Sequence, residues 1–309
     1  MSDLPGDLSE WEETEEPDTY DGAALTVPYD KIPPIPATDL WPGVVPNRTP
    51  VYFIAPGGTG KGLVIAKITA MVTTGESFPG QRQPRQPGTV ITIAPEDEPK
   101  QDMAFRLRAA GADLALVRDL TVLPDGSPFL LPGNIRELQQ AIAEINAEGG
   151  PPVQLITLDP LLALCENGLN TVKAARAVTG PLQDMTKEYG GAMILSHHTT
   201  KSRDTVAGSK SLTDAARLVW MISRAPDDPD VREMNVWKTN RKTADGIRYR
   251  IEGDGENVHA VFTRADTAVA GSRAARLRLA ETSPAELARQ WLASHPKQPE
   301  EAGSKEKAA

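Results

Sequence analysis

The chain has 309 residues, 39% of them hydrophobic but only 5% aromatic, with 27 prolines, one cysteine and a formal net charge of −9. The single Cys165 excludes a disulfide framework and any Cys-rich zinc module, and no apolar run approaches the roughly 20 residues a membrane helix needs. The charge excludes less than it suggests. Asp3, Asp7, Glu10, Glu12, Glu13, Glu15, Glu16 and Asp18 crowd into residues 1–20 without a Lys or Arg, and without those eight the 33 basic residues face 34 acidic ones. Nucleic acid therefore stays open as a partner.

Residues 1–35 are acidic and Pro-rich with few large apolar groups, the composition of a disordered tail. Trp11 and Tyr20 within it are either simply exposed or the anchors of a short docking peptide. The start lacks the basic stretch and apolar run of a secretory signal, so the expectation is a soluble protein of a reducing cytoplasm.

From about residue 50 to 265, short apolar runs alternate with helical spacing. Val51–Ile54 reads as a strand, Gly60–Thr74 as a helix and Thr89–Ala94 as a strand. Pro99–Ala110 reads as a helix with Met103, Leu107 and Ala110 on one face, and Leu120–Leu123 as extended. Asn134 with Glu137 has the form of a capping box, continued by Ile135, Leu138 and Ile142. Val153–Leu158 is a strand. Val172, Ala175, Leu182, Met185 and Tyr189 mark a helix that Gly180-Pro181 should kink or interrupt. Ala192–Ser196 is again a strand.

Such alternation predicts an α/β fold, a mainly parallel sheet with helices on both faces. After Leu212 the pattern changes to successive strands, Arg217–Ser223, Arg232–Lys238, Gly246–Ile251 and His259–Thr263, which predict an antiparallel extension. The organisation expected is a disordered tail over 1–35, a core over 36–265 and a helical extension with a disordered end over 266–309. In that extension Ser272–Glu281 carries three arginines, and Ser283-Pro284-Ala285-Glu286 is a good helix start. Its helix, with Leu287, Trp291 and Leu292 on one face, either packs on the core or binds a partner.

Ala55-Pro56-Gly57-Gly58-Thr59-Gly60-Lys61-Gly62, followed by Leu63, lies between a predicted strand and a predicted helix. Free backbone N–H groups and the helix dipole favour an anion there, and Lys61 is placed to reach the β/γ phosphates of a nucleotide. Ala55 stands at the first Gly position of the phosphate-loop pattern and Gly62 at the Ser/Thr position, whose hydroxyl normally ligates Mg²⁺. Because Mg²⁺ keeps several waters, a water can replace that ligand.

Three further motifs each end a strand. Leu155–Pro160 carries Asp159, a carboxylate suited to the Mg²⁺ shell. Ala94–Glu98 carries Glu96, suited to orienting the attacking water, with Asp97 or Glu98 left to favour a helix start. Ser196-His197-His198 offers a polar group beside the phosphates. Adjacent strand residues point to opposite faces, so the two histidines are not expected to chelate one metal.

Taken together, these motifs and Val236–Arg241 resemble the RecA-type ATPase core, and more narrowly the RepA-like branch of hexameric replicative helicases common in phages and plasmids. The resemblance covers roughly residues 38–264. It implies ATP with Mg²⁺ as cofactors, Pro56–Leu63 and Lys61 on the phosphates, Glu96 activating water, Asp159 at the Mg²⁺ site, and His197 or His198 sensing the γ-phosphate. It implies a ring-shaped homo-oligomer, a hexamer in that family, in which Arg241 or Lys238 reaches the neighbouring subunit's nucleotide. It also implies that the loop Thr199–Ser211, with Lys201, Arg203 and Lys210, faces the central channel and binds single-stranded DNA. Residues 201–250 hold eleven basic against seven acidic residues, which agrees with backbone tracking, although the loop lacks an aromatic for base stacking. Residues 1–50 are too short and polar to supply the extra N-terminal domain of some helicases. The functions open at this point are a replicative DNA helicase, a RecA-like recombination ATPase, or an ATP-binding scaffold with little hydrolysis, with replication or recombination partners reached through residues 1–35 or 272–294.

Overall fold

A computed structural model describes residues 26–199, 212 and 216–262. Trp11, Tyr20, Lys201, Arg203, Lys210, the segment 272–294 and its Ser283 helix start lie outside the described residues. The chain divides into two units, residues 1–36 and 37–309. Of the first, the structure describes a single 3-10 turn at Tyr29–Lys31.

The second unit is built on a nine-stranded sheet. In chain order its elements are a small hairpin, β1 (Asp39–Trp41) and β2 (Val45–Pro46), then β3 (Pro50–Ala55), α1 (Lys61–Thr74), β4 (Thr89–Ile93), α2 (Ala104–Ala110), β5 (Val117–Asp119), α3 (Ile135–Ala147), β6 (Val153–Leu158), α4 (Val172–Tyr189), β7 (Ala192–His198), β8 (Leu218–Arg224), β9 (Val231–Thr239), β10 (Ile247–Glu252) and β11 (His259–Phe262). The strand order is β11-β10-β9-β8-β3-β7-β6-β4-β5. From β8 to β5 every pairing is parallel, and from β8 to β11 every pairing is antiparallel. The expected parallel core with an antiparallel extension is what the chain forms.

The central strands are apolar on both faces because both are covered. Successive side chains of β3 divide accordingly. Tyr52 and Ile54 join one core with Leu138 and Ile142 of α3 and Leu182 and Met185 of α4. Val51, Phe53 and Ala55 join the other, with Val64, Ile68 and Met71 of α1. On the α1 side, Leu107 and Ala110 of α2 pack on Ala66 and Ala70.

Four local expectations differ from what forms. Asn134 precedes α3 but does not cap it, since its side-chain oxygen accepts from Leu130 N–H at 2.8 Å instead. The helix α4 runs unbroken through Pro181, held by a buried stripe of Ala175, Val178, Leu182 and Met185 that outweighs one lost backbone bond. The first turn of the segment 99–110 winds as a π-helix, Pro99–Met103, before α2 begins. The sheet edge is Val117–Asp119 rather than Leu120–Leu123, where only an isolated bridge joins Val122 to Pro128.

Candidate functional site

Strands β3, β4, β6 and β7 run parallel, so their C-terminal ends meet on one edge of the sheet, and the four sequence motifs meet there too. They line a cleft of about 570 Å³ walled by Pro56, Gly58–Leu63, Glu96, Asp97, Arg106, Asp159, Pro160, His198, Ile251 and Val258.

The phosphate loop joins β3 to α1. Gly60, immediately before the helix, has φ +89°, and a Cβ there would stand 2.6 Å from Ile251 Cδ1. The left-handed conformation requires glycine, and a side chain there would also push the Ile251 methyl aside. Thr59 donates its hydroxyl to Pro56 O at 2.7 Å and is itself buried, while a Cβ at Gly57 or Gly58 would meet nothing within 4 Å. The loop is thus braced from below and open above.

Lys61 is 6% exposed, and its ammonium lies 3.4 Å from Asp159 Oδ1. That contact is an ion pair without hydrogen-bond geometry, and the Nζ has no hydrogen-bond acceptor. Burial pulls its pKa down from the ordinary value, opposed first by the Asp159 charge and then by Glu96 and Asp97. Asp159 is held in turn by Ser196, whose hydroxyl donates to Oδ1. Glu96 is exposed at the cleft wall.

The two histidines point to opposite faces of β7. His197 is fully buried, and His198 lines the cleft. Burial, then the neighbouring Lys61 charge, holds His198 below the usual histidine range. Beyond His198 the chain stays beside the loop for one more residue, as Thr199 N–H donates to Ala55 O at 3.1 Å.

Three contributors escaped the sequence reading. Arg232 of β9, 6% exposed, donates from Nε to Thr59 O at 2.9 Å. Tyr249 of β10 donates its hydroxyl to Gly60 O at 3.4 Å. Arg106 of α2 forms a two-pronged pair with Asp97, Nη1 to Oδ2 at 2.6 Å and Nη2 to Oδ1 at 3.1 Å. Ser196 stood within a recognised motif, and its tie to Asp159 was visible only in the folded chain. Asp97, read as a helix-start residue, faces Arg106 in the cleft. The helix start is served by Asp102, whose Oδ2 accepts from Glu98 N–H at 3.1 Å.

Lys238 and Arg241 stand apart from this cleft's walls. Within the subunit Arg241 is bonded to Asp39, whose other oxygen accepts from Gly43 N–H at 2.7 Å. Much of the basic excess of residues 201–250 is likewise engaged: Arg248 pairs with Asp227 and Glu233, and Arg250 with Asp228 and Asp230.

The residues fit a nucleoside triphosphate. A buried ammonium without an acceptor faces a cradle of glycines at a helix start, the arrangement a phosphate completes. The fit to Mg²⁺ is partial. Asp159 is present, but the neighbouring hydroxyl is absent at Gly62. Among the described residues no three His, Cys, Asp or Glu side chains group to hold a metal ion. An Mg²⁺ here would rest on Asp159, phosphate oxygens and water.

Fold and cleft together define a P-loop NTPase, with a mainly parallel sheet and the loop at its C-terminal edge. A family model described as an AAA domain matches residues 17–204, more than half of the chain. The chain belongs to that family, and its domain is an ATPase domain. Nothing among curated proteins matches it. Among the described residues, no helix is long and apolar enough to cross a membrane.

Proposed function

We propose that this chain is the subunit of a homo-oligomeric motor that hydrolyses ATP to move on single-stranded DNA, and first of all a replicative DNA helicase of the RepA-like kind. The supporting observation is the path of β7. It brings His198 to the cleft beside Lys61 and then runs directly into the segment holding Lys201, Arg203 and Lys210. A strand end at the phosphate loop that continues in the sequence into a basic segment would be a short link between nucleotide state and polymer grip.

In this reading Lys61 and the backbone of Pro56–Leu63 bind the phosphates. Asp159, fixed by Ser196, holds the Mg²⁺ shell, and Glu96 orients water and accepts its proton. Bound Mg²⁺ supplies charge neutralisation at the phosphates. His198, the histidine at the cleft, senses the γ-phosphate, and Arg241 or Lys238 serves the neighbouring subunit's site.

A second reading is favoured by one observation. Gly62 lacks the hydroxyl, and the guanidinium of Arg106, paired with Asp97, fills the space beside it. That suits an ATP-binding scaffold with slow turnover. Hydrolysis measured with and without single-stranded DNA separates the two. Strong stimulation that disappears in Lys61→Ala is the motor's result, whereas a wild type no faster than Lys61→Ala in either condition overturns it in favour of the scaffold. Rings or filaments on DNA, seen by electron microscopy, separate helicase from recombinase.

A further inference from the structure

Gly62 is more than a missing hydroxyl. A Cβ on it would stand 2.8 Å from Arg106 Nη1, 3.5 Å from Arg106 Cζ and 3.4 Å from Asp159 Oδ2. The volume that a Ser or Thr side chain fills at this position is taken by a guanidinium. It lies beside the strand-end carboxylate, where a phosphate-loop hydroxyl and Asp together place Mg²⁺. Arg106 reaches the spot from α2, which is anchored on α1 by Leu107 and Ala110, and Asp97 fixes its plane with two bonds.

Charge points the same way. The cleft's cations are Lys61 and Arg106, and its carboxylates are Glu96, Asp97 and Asp159. His198 adds no charge at neutral pH, since burial keeps it below the usual range. A triphosphate entering a cleft with more carboxylates than cations needs positive charge held close. A guanidinium carries five donors, and the pair with Asp97 uses two of them. The remaining three suit phosphate oxygens. A divalent ion placed against the same guanidinium would meet like charge at short range.

We propose that Arg106 is a phosphate-binding residue of this cleft. Seated on Gly62, it supplies in the binding step the charge that Mg²⁺ on a loop hydroxyl supplies in other P-loop proteins, so a nucleoside triphosphate binds with little dependence on divalent cation, and an Mg²⁺ on Asp159 would serve hydrolysis rather than affinity. Gly62 and Arg106 form one unit, since any side chain at 62 displaces the guanidinium. The inference rests on the ATP reading of the cleft.

The test is calorimetric titration of the full chain with a non-hydrolysable ATP analogue, in Mg²⁺ and in EDTA. For wild type the Kd is expected to change less than about threefold between the two buffers. Loss of the guanidinium in Arg106→Ala weakens binding in EDTA by at least about tenfold, the scale of one charge-assisted contact. Arg106→Lys keeps most of the EDTA affinity, and Gly62→Ser with Arg106→Ala recovers binding in Mg²⁺ alone. Asp97→Asn guards against a folding artefact. It removes the tether and leaves the guanidinium, so a phosphate contact predicts retained EDTA affinity, while a merely structural pair predicts the same loss as Arg106→Ala. Wild-type affinity that falls more than about tenfold in EDTA, together with Arg106→Ala matching wild type in both buffers, overturns the inference and leaves the ATP reading intact. Absence of binding by wild type in either buffer overturns both.

Discussion

Arg232 donates from Nε to the carbonyl of Thr59 at 2.9 Å, tying the antiparallel extension to the phosphate loop across 173 residues. Its Nη1 donates to Pro229 O at 2.7 Å and Val231 O at 3.2 Å. The buried cation is thus spread over backbone carbonyls, and burial lowers its pKa. This bond explains why a hairpin added outside the parallel core is part of the nucleotide cleft. The loop's own hydroxyl, on Thr59, is spent on Pro56 O, so Thr59 O is held from β9.

Arg232→Met keeps the apolar stem and removes the guanidinium donors to Thr59 O and Pro229 O, while Val231 O keeps the Ala225 N–H. We expect a loss of about 2–4 kcal/mol in urea unfolding, with weaker ATP binding as the loop loosens. A variant as stable as wild type, with unchanged affinity, would show that solvent replaces these bonds.

The same residue shows where sequence reading ended. The parallel strands were legible because burial on both faces leaves unbroken apolar runs, and the phosphate loop was legible because its chemistry is contiguous from Pro56 to Gly62. Arg106 was not. It stands at the i+3 position between Met103 and Leu107, on the flank of the apolar stripe, where a long cationic side chain ordinarily lays its stem on the core and its charge in water. Its meaning arises only when α2 packs on α1 and brings it over Gly62. Arg232 and Ile251 belong to strands recognisable as strands, but no local spacing says that they cross to a loop nearly two hundred residues away. Gly62 read as a deficit because the residue that fills its space comes from another helix. The small hairpin β1–β2 and the edge strand β5, two or three residues each, are shorter than any periodicity can register.

The pair of Arg241 with Asp39 gives a clean separation of roles. Asp39 is 14% and Arg241 29% exposed, so solvent screens the bond only in part and it contributes on the order of 1 kcal/mol. If Arg241 reaches a neighbouring nucleotide, it must leave Asp39 to do so. Arg241→Ala is then expected to lower kcat about 10³-fold, while Asp39→Ala, which frees the arginine, lowers stability slightly and spares kcat. Equal, small effects of both variants on stability, with kcat untouched in each, would reduce the arginine to a brace between β1 and the end of β9.

With Arg241, Arg248 and Arg250 bonded to acids inside the subunit, the DNA reading rests on Lys201, Arg203 and Lys210. Replacing all three by Ala should reduce the slope of log Kobs against log[salt] for single-stranded DNA by about 2, since each phosphate contact on a single strand contributes about 0.7. Fluorescence anisotropy over a salt series reads this directly, and an unchanged slope would place the contacts elsewhere.

His198 should leave a mark on acid stability. Burial first, and the Lys61 charge second, hold its pKa below the ordinary 6.5. As pH falls through 6.5 the unfolded chain takes up a proton that native His198 refuses. The unfolded state then binds more protons, so stability declines with falling pH across the window from 6.5 down to the native pKa. At pH 7.5 both states are largely neutral at this residue and no difference arises from it. His198→Gln removes the titration, so its stability should fall less steeply than wild type between about pH 7.5 and 5.5, measured by urea unfolding at fixed ionic strength. A bound triphosphate should shrink the difference, because phosphate beside the imidazole favours its protonated form and offsets Lys61. Parallel stability curves for the two proteins would mean that His198 is solvated well enough to keep its ordinary affinity for protons, and would remove it from the inner surface of the cleft.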